Sequence, residues 1–308
     1  MKRFSKITTT QLARICGVSQ GTVDRALHDR GEINPQTRER ILQVAREYDY
    51  LPHTPQGREQ ENSMLIGVVL FDLYNEYFSK LAMSLVNEAR KYGYSVIFQF
   101  SAKDGKNERA ALDYFDYIGV DGIVLFSVGS DSEEYRKYLR SLRRPLVLAG
   151  NPLFDLPFVG IDDERAMYDL ATAVAKQAPT GDILYYAPIL ARPLHEKNAQ
   201  RLRLAGFLRA MAELERGYRI VTEVEELSDF GGVVCSTDYY VLQAQKHLGY
   251  PRELPMGGFD NISALSTLPS RVQSVAYSTD GVAEQCLNYL LGKPYSPRLP
   301  HRLAYNTD

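Results

Sequence analysis

The sequence predicts an α/β fold: an N-terminal three-helix head carrying a helix-turn-helix, then two doubly wound parallel-sheet subdomains. Three observations predict it. Up to Tyr50, apolar residues recur at helical spacing with no strand-like run among them. Residues 51–63, LPHTPQGREQENS, are polar, contain two prolines and a glycine, and show no apolar period, which marks a boundary. From Met64 onward, short apolar runs alternate with helical patterns in two successive sets.

Composition narrows the function classes. The chain's 308 residues leave room for two domains, and 44% apolar residues can build a real core. The formal net charge of -2 hides an asymmetry: residues 1–46 carry nine Lys and Arg against four acids, a surplus of +5, so the remainder sums to -7. A basic head on an acidic body excludes a uniformly basic nucleic-acid coat and suits a DNA-binding head joined to something else. The start, MKRFSKITTTQLAR, lacks the apolar run of a secretory signal, and no stretch approaches a membrane span, so the expected location is the cytoplasm, with no membrane partner. Cys16, Cys235 and Cys286 stand singly without a CxxC pair, which gives neither a disulfide framework nor a zinc site. They read as small apolar fillers.

The first helix is expected from about Thr9, burying Leu12, Ala13 and Ile15, with Gly17 in the position of a C-terminal glycine. Residues 17–21, GVSQG, match the G-x-S-x-G turn that lifts a nucleophilic serine out of a sheet. That turn needs an apolar strand before it, and TTTQLARIC is polar and helical. Ser19 is therefore expected to cap a second helix, with Val23, Ala26 and Leu27 inward and Gln20, Gly21, Asp24 and Arg25 outward. A third helix opens at Asn34 as the cap with Pro35 at the first helical position, burying Ile41, Val44, Ala45 and Tyr48. Three short helices with a tight turn between the first two make a helix-turn-helix unit.

The segment TTTQLARICGVSQGTVDRALHDRGEINPQTRERILQVAREYDYLP resembles the DNA-binding head of the lactose/galactose repressor family. The resemblance rests on Val18, Ser19, Thr22, Val23 and Arg25, then Thr37 to Ile41, then Tyr50 and Pro52. It implies that Gln20, Gly21 and Arg25 read base edges in the major groove, while Thr8, Ser19, Thr22 and His28 lie near phosphates. Arg25 can offer a bidentate fork to guanine and Gln20 can pair with adenine; Gly21 has no side chain to read with. Asp24 departs from the family's commoner serine, and there it repels phosphate unless it accepts from a cytosine amine or pairs with a neighbour. The same resemblance makes residues 51–63 a hinge that folds on DNA, with Glu59 where family members place an apolar wedge for the minor groove. An acid cannot wedge between bases, and Pro55 and Gly57 oppose a helix.

In the body the strands are MLIGVVL, YSVIFQF, DGIVLFSV, PLVLAG and FVGID, then DILYYAPI, GVVCS, PMGGFD and VQSVAY, with helices between them. Two such sets imply two parallel sheets with a cleft between them, and ligands of such sheets sit outside the carboxyl ends of the strands. FDLYNEYF, VDGIVL, VGIDD, RLRLAGF, STD and GGFDNIS resemble the same family's body and the type I periplasmic sugar-binding proteins. By that resemblance the ligand-binding candidates are Asp72, Asn75, Tyr77, Phe78, Asn151, Arg203, Asp238, Asp260 and Tyr277. Carboxylates, an amide and a guanidinium suit hydroxyl pairs, and an aromatic ring suits an apolar sugar face. Gly150 and Asn151 stand where sugar binders often carry an Asp-Arg pair, and Thr237 and Tyr277 where Asn and Gln are common. The plainer alternatives are that Asp162 and Asp163 only cap a helix, that Phe78 is core, and that Arg203 pairs with a helix carboxylate.

The expected organisation is residues 1–50 as head, 51–63 as linker and 64–308 as the ligand-binding and dimerisation domain. Within it, one subdomain spans about 64–161 and 278–292, the other about 162–277 and 293–308. HEKNA at His195 lacks the second histidine of HExxH, and no GxxxxGK[ST] or GxGxxG occurs, so no enzyme activity, metal or cofactor is expected. The expected function is a ligand-responsive transcription regulator, acting as repressor on a pseudo-palindromic operator, with a small sugar-like effector and a homodimeric or tetrameric assembly. The alternative is a carbohydrate-binding protein whose head makes only protein contacts.

Overall fold

The computed structural model describes residues 9–27, 33–48, 62–128, 132–150, 152–191 and 198–307. Two compact units divide the chain between Ser63 and Met64.

The first unit holds α1 (Thr9–Cys16), α2 (Gln20–Leu27) and α3 (Pro35–Glu47). Gly17, at φ 62°, ends α1 with its own N–H on Arg14 O and the Val18 N–H on Ala13 O, a Schellman closure that turns the chain into α2. Arg40 of α3 donates to the carbonyl of Cys16, tying the third helix to the same turn. Leu12, Ala13 and Cys16 meet Val23, Ala26, Leu27, Ile41 and Ala45 in one small core. Fully burying Leu12, Val23 and Ile41 stabilises the head by about 1.5–3 kcal/mol apiece. Two expected core positions differ. The buried arc of α1 centres on Leu12, Ala13 and Cys16, which leaves Ile15 at its edge and 43% exposed. Tyr48 follows the last residue of α3, past the reach of the three-helix core, and is 48% exposed.

The second unit has two sheets. The first orders β2 (Ser95–Phe100), β1 (Leu65–Leu70), β3 (Gly122–Leu125), β4 (Leu146–Ala149) and β5 (Phe158–Val159), all parallel. Its helices include α4 (Glu76–Lys91), α5 (Gly105–Ile118) and α6 (Glu133–Ser141). Then come α7 (Asp163–Gln177), β6 (Ile183–Tyr186), α8 (Ala199–Glu213), β7 (Tyr218–Val221), β8 (Gly232–Cys235), α9 (Asp238–His247), β9 (Met256–Phe259), β10 (Val272–Ala276), α10 (Thr279–Leu290) and β11 (Arg302–Tyr305). The second sheet runs β11, β10, β9, β8, β6, β7, parallel except for β11 on β10. The sequence reading named neither edge strand: β7 is short and largely exposed, and β11 lies in a polar tail, so neither shows an apolar run.

The chain passes between the sheets after β5, after β10 and after α10, and α10 packs back onto α4 of the first sheet. Gly160 pairs with Pro297 and Leu299 through backbone hydrogen bonds, holding two of these crossings side by side. Strand order reverses between β1 and β3 in one sheet and between β6 and β8 in the other, so the two switch points face one crevice.

Candidate functional site

In the head, α2 presents Gln20, Gly21 and Arg25 as exposed residues, with Thr22 and Asp24 half-buried. Ser19 caps the helix: its hydroxyl accepts from the Thr22 N–H at 3.2 Å and lies 2.9 Å from the Thr22 hydroxyl. The carbonyl of Gly21 accepts from Arg25 Nε at 3.2 Å, so the guanidinium lies along the outer face of α2. Thr8 and His28 lie outside the described residues, as does the hinge segment with Pro55, Gly57 and Glu59.

In the crevice, the loop leaving β1 supplies the first wall. Asn75 caps α4 by accepting from the Tyr77 N–H at 3.0 Å, and its side chain faces the Asp260 carboxylate of the other sheet and favours its ionised form. Asp72 accepts from the Tyr74 N–H at 3.0 Å and stands 3.9 Å from Lys103 Nζ, at the edge of this wall. Tyr77 packs on Tyr277 with ring centroids 5.3 Å apart. Phe78 sits edge-on to Phe71, Tyr77 and Phe126 at 5.2–5.4 Å, so the first sheet's switch point is aromatic. Phe78 is thus both partly exposed wall and packing partner.

The second wall centres on Arg203. Helices α7 and α8 approach so closely at Gly206 that a Cβ there would lie 2.0 Å from the Glu164 carbonyl oxygen. One turn before it, Arg203 is carried onto Asp163: Nε donates at 2.8 Å, and a second nitrogen donates to Ser236 O at 2.8 Å. The remaining guanidinium nitrogen stands 3.8 Å from Asp260, and the plane stacks 3.4 Å over the Phe259 ring. Asp162, next to Asp163, is the true cap of α7, accepting from Arg165 N–H at 3.0 Å. Burial pushes the Asp163 carboxyl upward despite Arg203.

Asp260 joins the two walls. It holds φ at 102°, uncommon for a residue with a side chain, and its carboxylate accepts from Tyr277 Oη at 3.4 Å and faces the Asn75 side chain. Burial raises its carboxyl to about 6, against the lowering pull of Arg203, with Asp163 adding to the rise. Burial likewise pushes the Tyr277 hydroxyl well up. Tyr185 Oη and Ser236 Oγ, on β6 and just after β8, are buried with no hydrogen-bond partner among the described residues.

The structure thus brings together Asn75, Tyr77, Phe78, Arg203, Asp260 and Tyr277, with Asp72 at the rim. Asp238 is different: it is wholly buried, and its oxygens are taken by the Ser274 hydroxyl at 2.8 and 2.9 Å and the Ile262 N–H at 2.9 Å. Its geometry is that of a pin inside the second sheet, where desolvation raises its carboxyl well above the usual range. Asn151 lies outside the described residues. Sequence reasoning offered a helix carboxylate as the partner of Arg203, which the structure identifies as Asp163, but it missed Phe71, Phe126 and Glu76. The VGIDD string held Asp163, in a pair of acids of which only one can cap. Among the described residues, no cluster of His, Cys, Asp and Glu could hold a metal ion, and no helix is long and apolar enough to cross a membrane.

Residues 9–53 match the family of bacterial regulatory proteins of the lacI type, and residues 63–229 match the periplasmic binding proteins and sugar binding domain of the LacI family. Catabolite control protein A of Priestia megaterium is 24% identical over 97% of this chain and 98% of its own. A lac repressor dimer bound to operator and the anti-inducer ONPF superposes with a TM-score of 0.67, at 16% identity over 98% of this chain and 99% of that one. A periplasmic binding protein/LacI transcriptional regulator from Alkaliphilus metalliredigens QYMF, complexed with D-xylulofuranose, gives a TM-score of 0.64 at 19% identity over 79% of this chain and 97% of that one.

Proposed function

The chain belongs to the lacI family of bacterial regulatory proteins, and from that premise we propose that it is a cytoplasmic, ligand-responsive repressor that binds a pseudo-palindromic operator as a homodimer. The observation that carries the reading is one chain joining an outward-facing Gln20/Arg25 helix to a crevice in which Asn75 and Glu76 of one sheet meet Asp260 and Ser263 of the other. Gln20 and Arg25 read base edges, with Gly21 between them at the groove; Ser19, Thr22, Thr8 and His28 sit at phosphates. Residues 1–50 form the head, 51–63 the hinge, and 64–308 the effector and dimer domain.

The effector is a small hydroxylated molecule, a sugar or sugar derivative. Asp260, Asn75 and Arg203 take its hydroxyls, while Tyr77, Phe78 and Tyr277 face its apolar side. Tyr185 and Ser236 have hydrogen-bonding capacity left for the same purpose. Such a ligand shifts DNA affinity only through a difference in its affinity for the open and closed crevice.

The test is selection of bound duplexes from a random DNA pool with the full-length protein at near-physiological salt. An enriched pseudo-palindrome supports the reading. No enriched site, with and without a mixture of neutral sugars, sinks it.

A further inference from the structure

Five consecutive backbone amides after β9 each reach a separate acceptor atom. The Asp260 N–H donates to Val275 O at 3.0 Å, that of Asn261 to Ser274 Oγ at 3.0 Å, and that of Ile262 to Asp238 Oδ2 at 2.9 Å. These three acceptors belong to the turn's own subdomain, two on β10 and one at the start of α9. The next two amides cross the crevice: Ser263 N–H donates to Glu76 Oε1 at 2.8 Å and Ala264 N–H to Glu76 Oε2 at 3.3 Å. Glu76 is the first residue of α4, on the opposite sheet, and Lys80 one turn later steadies its carboxylate at 2.6 Å.

The turn needs holding. Asp260 and Asn261 are successive non-glycine residues at positive φ, 102° and 49°, a conformation that persists only where surroundings impose it. Glu76 directly follows Asn75, whose side chain faces Asp260, so two neighbouring residues of one sheet meet the other sheet's turn and Glu76 holds it by two of its amides. Separating the sheets would strip the amides of Ser263 and Ala264 of their acceptor and leave the other three bonded.

We propose that Glu76 is a positioning residue of the effector crevice: its carboxylate latches the two subdomains and fixes the turn that aims Asp260 at the ligand. The proposal rests on the reading of this crevice as the effector site. Glu76 touches no hydroxyl of the ligand; it sets how often the crevice is closed around Asp260. A charge-assisted pair of hydrogen bonds is strong enough to move the closed-to-open ratio by about tenfold or more.

The test measures subdomain separation in the full-length protein by pulsed electron spin resonance, with labels on K137C in α6 and K246C in α9. Both sites are exposed, and the native cysteines are buried. Labelled chains are mixed with excess unlabelled chains so that only distances within one chain are read. Glu76→Ala is expected to raise the long-distance population about tenfold relative to the short one. Glu76→Gln, which keeps one acceptor and loses the charge, falls between.

Ser263→Pro attacks the latch from the other side. Ser263 opens a short 3-10 helix, where proline is tolerated, and Ile262 before it has φ −73° and ψ 146°, which suits a residue preceding proline. The change removes one latch N–H without disturbing the fold, so it decides the matter if Glu76→Ala fails to fold. Longer distances in these variants, measured while the chain is folded, support the latch. Unchanged distances in folded Glu76→Ala, or in Ser263→Pro, overturn it. The distance needs neither sugar nor DNA: an unchanged distance leaves the regulator reading standing, and a failed operator selection leaves the latch standing.

Discussion

Arg203 and Asp163 meet at 2.8 Å between two helices, and this pair aims the guanidinium at Asp260, 3.8 Å away. Both side chains are under 10% exposed, at 8% and 5%. Breaking one partner of such a buried pair costs about 3–5 kcal/mol, because the survivor stays buried and uncompensated. Arg203→Met should therefore lower unfolding free energy by about that amount, and Asp163→Asn by a similar amount. The double variant should cost clearly less than the sum, measured by urea unfolding. Additive effects would show that the two residues stabilise the fold independently.

Asp260 sets a pH dependence of unusual sign. Its carboxyl titrates at about 6 in the folded chain against an ordinary 3.8, because burial and Asp163 outweigh Arg203, Asn75 and Tyr277. Between those two values the folded chain binds more protons than the unfolded one, so this group's contribution to stability falls as pH rises from about 4 to about 6. The penalty is fully present at neutral pH and absent below about 4, and its upper limit is about 3 kcal/mol. Asp260→Asn should raise the melting temperature at pH 7.5 and leave it unchanged near pH 4. Glu76 works in the opposite direction: burial alone would raise it, yet Lys80 and the Ser263 amide bring it to about 2, so its stabilisation is lost only as pH falls below about 4. A melting-temperature difference for Asp260→Asn that stays constant from pH 4 to 7.5 would contradict the Asp260 assignment.

The fold class was legible because both signals are periodic: helical spacing in the head, and apolar runs in β1, β3, β4, β6, β8 and β9 that are buried on every residue but the first of β1. Edge strands β7 and β11 carry no such run and stayed hidden. The candidate site was legible only in part. Asn75 stands in a motif-like string just after β1, where the sheet rule directs attention, whereas Arg203 lies inside α8 in a string that only the family resemblance singles out. Partnerships were not legible, since Asp163 and Arg203 are forty residues apart and Glu76 and Ser263 nearly two hundred. Asp238 shows the converse: the STD string looks like a binding motif, and the fold uses its carboxylate to hold Ser274 and Ile262.

The hinge offers a gain-of-function test. In the repressor family the resembled position carries an apolar wedge, and here it is Glu59. Glu59→Leu should tighten binding to the selected operator in a salt titration, if the segment enters the minor groove despite Pro55 and Gly57. Equal affinity at every salt concentration would mean that the linker stays out of the DNA.

Arg25 is the sharpest probe of the head. Its Nε rests on the Gly21 carbonyl on the outer face of α2, and Gly21 projects nothing into the space around it, so the long guanidinium and Gln20 are the side chains placed to reach base edges. Arg25→Ala should cost about 1–3 kcal/mol of operator affinity and relax the choice at one base pair of each half-site. Ser19→Ala removes the cap and should cost about 1 kcal/mol of head stability, with weaker binding to every sequence alike. The two effects separate in a repeated duplex selection: loss of preference at a single position marks base reading by Arg25. Uniform weakening, with a shallower dependence of affinity on salt, would instead make Arg25 a phosphate contact, because each neutralised phosphate steepens that dependence.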